Sequence, residues 1–169
     1  MDDTADVILV GQNINDKFGV SVSNAGDIDN DGYDDVIVGA DSYNSFTGTA
    51  YIYSGGMNMD NNADLQFYGS AINNYFGHCV SEAGDVNGDN YDDIVIGSYG
   101  ASFTSGTAEI YFGSSSPDNT ADVAITGVLF SSLGRSVSNA GDVNNDGYDD
   151  VIVGVDYNGF NTGSAKIYL

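Results

Sequence analysis

Asp27-Ile28-Asp29-Asn30-Asp31-Gly32-Tyr33-Asp34-Asp35 runs directly into the apolar stretch Val36-Ile37-Val38-Gly39. Two further versions follow, DVNGDNYDD at 85–93 and DVNNDGYDD at 142–150. The first, third, fifth and ninth positions carry Asp27, Asp29, Asp31 and Asp35 in the first run. They carry Asp85, Asn87, Asp89 and Asp93 in the second, and Asp142, Asn144, Asp146 and Asp150 in the third. The seventh position is Tyr33, Tyr91 or Tyr148, each with a backbone carbonyl to offer. Hard oxygen donors on alternate residues around a tight turn suit Ca²⁺, which takes about six to eight oxygens at roughly 2.3–2.6 Å. The expectation is three Ca²⁺ ions per chain, one in each loop. Plain turn chemistry also favours Asp-Gly and Asn-Gly. Turns alone do not call for acids at alternating positions, repeated in every unit. Carboxylates crowded this closely repel one another without a counter-ion.

The flanks decide what kind of loop this is. A helix–loop–helix calcium site needs a bidentate Glu at its twelfth position. Here the twelfth positions are Val38, Ile96 and Val153, inside β-branched runs that read as strands. The EF-hand and helical dockerin readings therefore fail, and Asp35, Asp93 and Asp150 must close the loops.

The whole chain repeats. Ala5-Asp6-Val7 recurs as Ala63-Asp64-Leu65 and Ala121-Asp122-Val123. Phe18-Gly19 recurs as Phe76-Gly77 and Leu133-Gly134, and Ala25-Gly26-Asp27 as Ala83-Gly84-Asp85 and Ala140-Gly141-Asp142. The units run 5–62, 63–120 and 121–169, and together form one propeller half-domain over 1–169. In the first unit the strand candidates are 6–10, 19–23, 35–39 and 50–53, short segments bounded by Gly, Asn, Asp and Ser. No stretch shows helical periodicity. Four short antiparallel strands in a repeat of this length are the arithmetic of an all-β propeller blade.

The unit F-G-x-x-V-S-x-A-G-D-x-(D/N)-x-D-(G/N)-Y-x-D-(V/I)-(I/V)-(V/I)-G resembles the FG-GAP repeat of integrin α-subunit β-propellers, in every copy and across nearly the whole chain. The resemblance implies a calcium loop between the first and second strands of each blade. It carries over Asp27, Asp29, Asp31, Asp35, Asp85, Asn87, Asp89, Asp93, Asp142, Asn144, Asp146 and Asp150 as side-chain ligands. It makes Tyr33, Tyr91 and Tyr148 carbonyl ligands. Leu133 departs from the Phe, a change a core position tolerates. Asn90 replaces the turn glycine, and Asn accepts left-handed geometry. Asp34, Asp92 and Asp149 stand where the family often has Pro, and are expected to face solvent or to support the ligands.

Charge narrows the function. With 25 acidic residues against 3 Lys and Arg, the net charge is −22. Nucleic acid and anionic membranes need clustered basic residues and are excluded as partners. Cys79 stands alone, so no internal disulfide forms, and it occupies the place of Ser21 and Ser136. No signal peptide stands in the chain. Calcium sites of micromolar to millimolar affinity fill outside cells, so an extracellular or cell-surface location is expected.

Three blades fall short of the roughly four to eight that close a propeller. Either two chains join as a six-bladed homodimer, with residues 6–10 of each completing the partner's third blade, or the units belong to a longer propeller. No nucleophile–base motif appears, and Glu82 and Glu109 are the acids clearly outside the Asp pattern, so the chain is read as not an enzyme. His78 is read as a tolerated substitution.

The divergent segments 40–47, 98–105 and 155–162 and the entry turns 12–17, 70–75 and 128–132 lie on the ring face opposite the calcium loops. They carry Tyr43, Phe46, Tyr75, Tyr99, Phe103, Phe130, Tyr157 and Phe160. A protein or glycan ligand is expected there, in a structural or cell-adhesion role like that of the family. An engineered propeller fragment without a natural ligand and an accessory glycan-binding domain of a carbohydrate-active enzyme are the alternatives.

Overall fold

The computed structural model describes residues 3–100, 105–158 and 162–169, and the side chains of Tyr157 and Asn158 are outside that description. Phe103, Phe160 and the Tyr157 side chain therefore lie outside the described residues. The first sheet holds β1 (Ser21–Gly26), β2 (Asp35–Ala40), β3 (Thr49–Tyr53) and β4 (Leu65–Tyr68) in sequential order. The second holds β5 (Cys79–Gly84), β6 (Asp93–Ser98), β7 (Thr107–Tyr111) and β8 (Val123–Thr126). The third has β9 (Ser131–Gly141), β10 (Asp150–Asn158) and β11 (Ser164–Tyr168). Every pairing is antiparallel. The chain is all-β, with sheets of the kind that form propeller blades.

The first and second sheets each borrow their fourth strand from the next repeat. β4 belongs to the second unit and pairs with β3, Ile52 opposite Leu65 and Ala50 opposite Phe67. β8 repeats that register, with Ile110 opposite Val123 and Ala108 opposite Ile125. Residues 6–10, expected as a strand, form none. Their counterparts become strands because a sheet edge precedes them, and no sheet precedes the first. The expected strand 19–23 also moves: β1 starts at Ser21, since Gly19 sits at φ +85°, and it runs through a bulge to Gly26. The four-residue α1 (Tyr43–Phe46) is a tight turn in which Asn44 and Ser45 are left-handed.

Apolar faces of neighbouring sheets make the core. Ile37, Ile52 and Phe67 of the first sheet meet Val80, Ile94, Ile96 and Tyr111 of the second, with Phe76 at the junction. Val95, Ala108 and Ile110 meet Leu133, Val137, Val151 and Val153 in the same way at the second junction. Phe76 and Leu133 are fully buried, as their core reading requires. Each such side chain contributes about 1.5–3 kcal/mol by leaving water. Backbone crowds these junctions too. A Cβ on Gly39 would strike the Gly77 carbonyl, and one on Gly97 the Gly134 carbonyl. No helix among the described residues is long and apolar enough to cross a membrane.

Candidate metal centre

The acidic runs form the turns β1–β2, β5–β6 and β9–β10, at the same end of each sheet. Left-handed residues shape them. Gly32, Asn90 and Gly147 at the sixth position have φ of 93°, 69° and 96°, so Asn90 accepts the glycine geometry. The fourth position is left-handed as well, at Asn30, Gly88 and Asn145. That second requirement went unread in the sequence, although the Asn/Gly alternation there carried it.

In the first loop the Asp27 carboxylate accepts N–H bonds from Asp31 and Gly32, both at 2.9 Å. Asp31 Oδ1 accepts the Tyr33 N–H at 2.9 Å. These bonds draw the side chains inward, and carboxylate oxygens of Asp27, Asp29 and Asp31 all lie within 4.8 Å of one another. Among the described residues no lysine or arginine forms an ion pair with them: Lys17 pairs with Asp41, Arg135 with Asp156, and Lys166 lies on β11 of the third sheet. Burial and the neighbouring Asp31 and Asp27 charges hold the Asp29 carboxyl above its ordinary range. Three convergent carboxylates without a base are an all-oxygen donor set that fits a hard divalent cation.

The second and third loops differ by one atom type. Asn87 Nδ2 donates to Asp89 Oδ2 at 3.0 Å, and Asn144 Nδ2 to Asp146 Oδ2 at 2.9 Å. An asparagine thus relieves the repulsion that an aspartate leaves in the first loop. Asp85 and Asp142 still hold the backbone amides at the fifth and sixth positions, as Asp27 does. A cation there would be met by an Asn carbonyl, which requires the amide to turn away from its acid partner.

The ninth-position acids lie more deeply buried than this rim. Asp35, Asp93 and Asp150 are buried, and their Oδ2 atoms accept the N–H of Ile28, Val86 and Val143 at 3.2, 2.9 and 2.8 Å. Oδ1 of Asp35 and of Asp93 accepts the N–H of Gly55 and Gly113, both at 2.8 Å, which ties each loop to the end of the third strand of its sheet. Asp150 Oδ1 is buried with no partner among the described residues. Burial, opposed by these amide bonds and reinforced by nearby acids, lifts Asp35 to about 6 and Asp93 to about 7. Tyr33, Tyr91 and Tyr148, expected as carbonyl ligands, occupy the seventh position of each turn, and each N–H bonds the fifth-position Asp.

Asp92 and Asp149, read in the sequence as facing solvent or supporting the loops, do the second, and across sheets. Asp92 Oδ2 accepts the Asp27 N–H at 2.8 Å, and Asp149 Oδ2 accepts the Asp85 N–H at 3.1 Å. Each acid crosses to the loop of the preceding sheet. Cys79 also bridges sheets: its Sγ accepts the Val137 N–H at 3.4 Å, as Ser21 Oγ accepts that of Val80 at 3.1 Å.

The opposite end of the sheets carries a row of rings. Phe46 meets Tyr75 at 5.2 Å, Tyr75 stacks on Tyr99 at 4.8 Å, and the Arg135 guanidinium lies 4.9 Å over Tyr99. His78 packs edge-on to Tyr99 and pairs through Nδ1 with the buried Asp41 at 2.9 Å. Nothing in the sequence links Asp41 to His78, since the pair forms only across neighbouring sheets. Tyr43 packs on Tyr68, and Phe130 is half-exposed.

The FG-GAP repeat matches residues 18–53, 82–112 and 133–169, more than half of the chain. A comparison with curated proteins returns no match. The matched stretches hold the three acidic turns and the strands that carry them, and the chain belongs to the FG-GAP repeat family.

Proposed function

We propose that this is a calcium-binding, non-catalytic propeller module with a structural, adhesion or ligand-binding role outside the cell or at its surface. One observation carries the reading: Asp27, Asp29 and Asp31 bring carboxylate oxygens within 4.8 Å with no basic residue to neutralise them. A bound cation would supply the missing positive charge. The chain's own residues fix the donors: left-handed Asn30 and Gly32 turn the backbone, and the Asp27 carboxylate gathers its amides. Asp35, Asp93 and Asp150 anchor the loops to their sheets. Because ions bind the folded loops rather than the open chain, they add to folding stability. The test is calorimetric titration of the chelated protein with Ca²⁺. Three sites per chain are expected. No heat and no shift in thermal midpoint would end this reading.

The row Phe46–Tyr75–Tyr99 with Arg135 favours a ligand face. The exposed Phe46 and the half-buried Tyr75 and Tyr99, beside Asn, Ser and Thr, offer stacking surfaces and hydrogen bonds to a sugar or a protein loop. Screening of the calcium-loaded protein against glycan and protein arrays tests it, with Tyr75→Ala and Tyr99→Ala expected to abolish any signal found.

A further inference from the structure

We propose that two copies of this chain close into one six-bladed ring, with residues 6–10 of each copy forming the fourth strand of the partner's third sheet. The two ends of the sheet array are halves of the junction that the interior repeats twice. Val80 and Val137 are buried at 4% and 6% exposure, while their counterpart on the first sheet, Val22, is 66% exposed. On the far side, Ile52 and Ile110 are buried, yet Ile167 is 50% exposed. Val143 lies exposed where Ile28 is buried. Backbone contacts are cut in the same places. A Cβ on Gly26 or Gly84 would strike Asp92 or Asp149, but one on Gly141 would meet nothing. The missing neighbour in every case is a sheet of this same kind.

The N-terminal segment is the matching piece. Ala5-Asp6-Val7 repeats the sequence that leads into β4 and β8. β4 ends at Tyr68 and β5 begins at Cys79; residue 10 stands at the same distance before Ser21. Both borrowed strands lie on the sheet before the one they enter. Residues 6–10 must therefore lie on a sheet that precedes the first, and a second copy's third sheet presents the open edge β11. Within one chain Ile8 and Val10 stay exposed.

The interior register dictates the pairing. The partner's Val7 would face Ile167, and the partner's Leu9 would face Ala165, as Leu65 faces Ile52 and Phe67 faces Ala50. The partner's Asp6 carboxylate would accept the Leu169 N–H, as Asp64 accepts that of Ser54 and Asp122 that of Phe112, both at 2.8 Å. The partner's Asp34 would take the Asp142 N–H, repeating the Asp92–Asp27 bond. The open groove of about 550 Å³ among Phe112, Ile125, Val151 and Tyr168 corresponds at the first junction to smaller spaces of about 10 and 190 Å³, both lined in part by Pro117. In the ring, the residues ahead of the partner's Asp6 would run past it. Two copies, with three sheets each, would bring six sheets together, within the range of roughly four to eight blades that close a propeller. A head-to-tail contact that closes makes a ring, and one that does not makes a filament.

Sedimentation equilibrium of the unaltered chain in calcium chloride, and again in chelator, tests this. A mass about twice 17.6 kDa in calcium supports it, with or without dimer in chelator. Monomer in both conditions, or a ladder of larger masses, overturns it, whatever the calorimetry says of the ions. Register is tested in a Cys79→Ser background by mixing one tagged chain carrying Val7→Cys with another carrying Ile167→Cys. Oxidation is expected to give a covalent heterodimer of the two tags. A double variant that cross-links within its own chain instead would overturn the exchange.

Discussion

The carboxylate of Asp92 accepts the backbone N–H of Asp27 at 2.8 Å, so an acid of the second repeat completes the loop of the first. The Asp92 N–H answers to the Asp27 carbonyl at 3.4 Å, and Asp149 makes both contacts with Asp85. The loops are thereby stitched along the array at the end where the acids gather. Any ion that orders Asp27 also steadies the junction with the next sheet.

Asp92→Ala and Asp149→Ala should each destabilise the fold by about 1.5–3 kcal/mol, the usual worth of a hydrogen bond to a charged group. Urea unfolding in calcium measures it. Asp34→Ala should leave a dissociated chain nearly unchanged and weaken self-association instead. Equal losses at all three positions in dilute monomer would contradict the assignment.

Stripping calcium should lower the thermal midpoint. A site filled to a hundred times its dissociation constant adds about 2.7 kcal/mol. The first loop has four Asp side chains where the others have three and an Asn, so it should bind tightest. Titration of Asp29→Asn, which converts the first loop to the pattern of the others, should show that affinity falling toward theirs. A first loop weaker than its neighbours in single-loop variants would refute the charge argument.

In the metal-free protein, acidity should stabilise. Asp35 titrates at about 6 and Asp93 at about 7, above the ~3.9 of an aspartate in an open chain. Between those values the folded state binds more protons than the unfolded one, so stability falls as pH rises through that window. With chelator present, the midpoint should be higher near pH ~5 than near pH ~7.5. Excess Ca²⁺ competes with the proton and should flatten or reverse the trend. A chelated protein that gains stability steadily on the way to neutral pH would count against the burial of these acids.

Phe76→Ala should cost about 3–5 kcal/mol, since its ring is fully buried between the first two sheets. Phe18→Ala should cost less in the monomer, because Phe18 is only half-buried at the open face, against Tyr51 and Tyr53. Calorimetric unfolding of both variants gives the comparison.

Much of this fold is written locally. The alternating acids and the β-branched runs after them state their role within a few residues, and the acidic turns, the strands that follow them and the buried Phe76 and Leu133 lie where that pattern puts them. What escaped depends on neighbours. Whether Asp92 faces solvent or supports a loop is decided only by the preceding loop lying beside it. Asp41 and His78 are far apart in sequence and meet only across sheets. Residues 6–10 have the composition of a strand, but a strand also needs an edge to pair with. The left-handed fourth position is carried by Asn30, Gly88 and Asn145, residue types that also serve ordinary turns, so their composition alone does not single it out.

The borrowed strand has a genetic corollary. Because β4 and β8 begin the units that follow the sheets they complete, a cut before residue 63 rejoined at residue 121 would leave every remaining sheet whole. Unequal crossing-over at that boundary would shorten or lengthen the array by complete blades, without ever passing through a broken one.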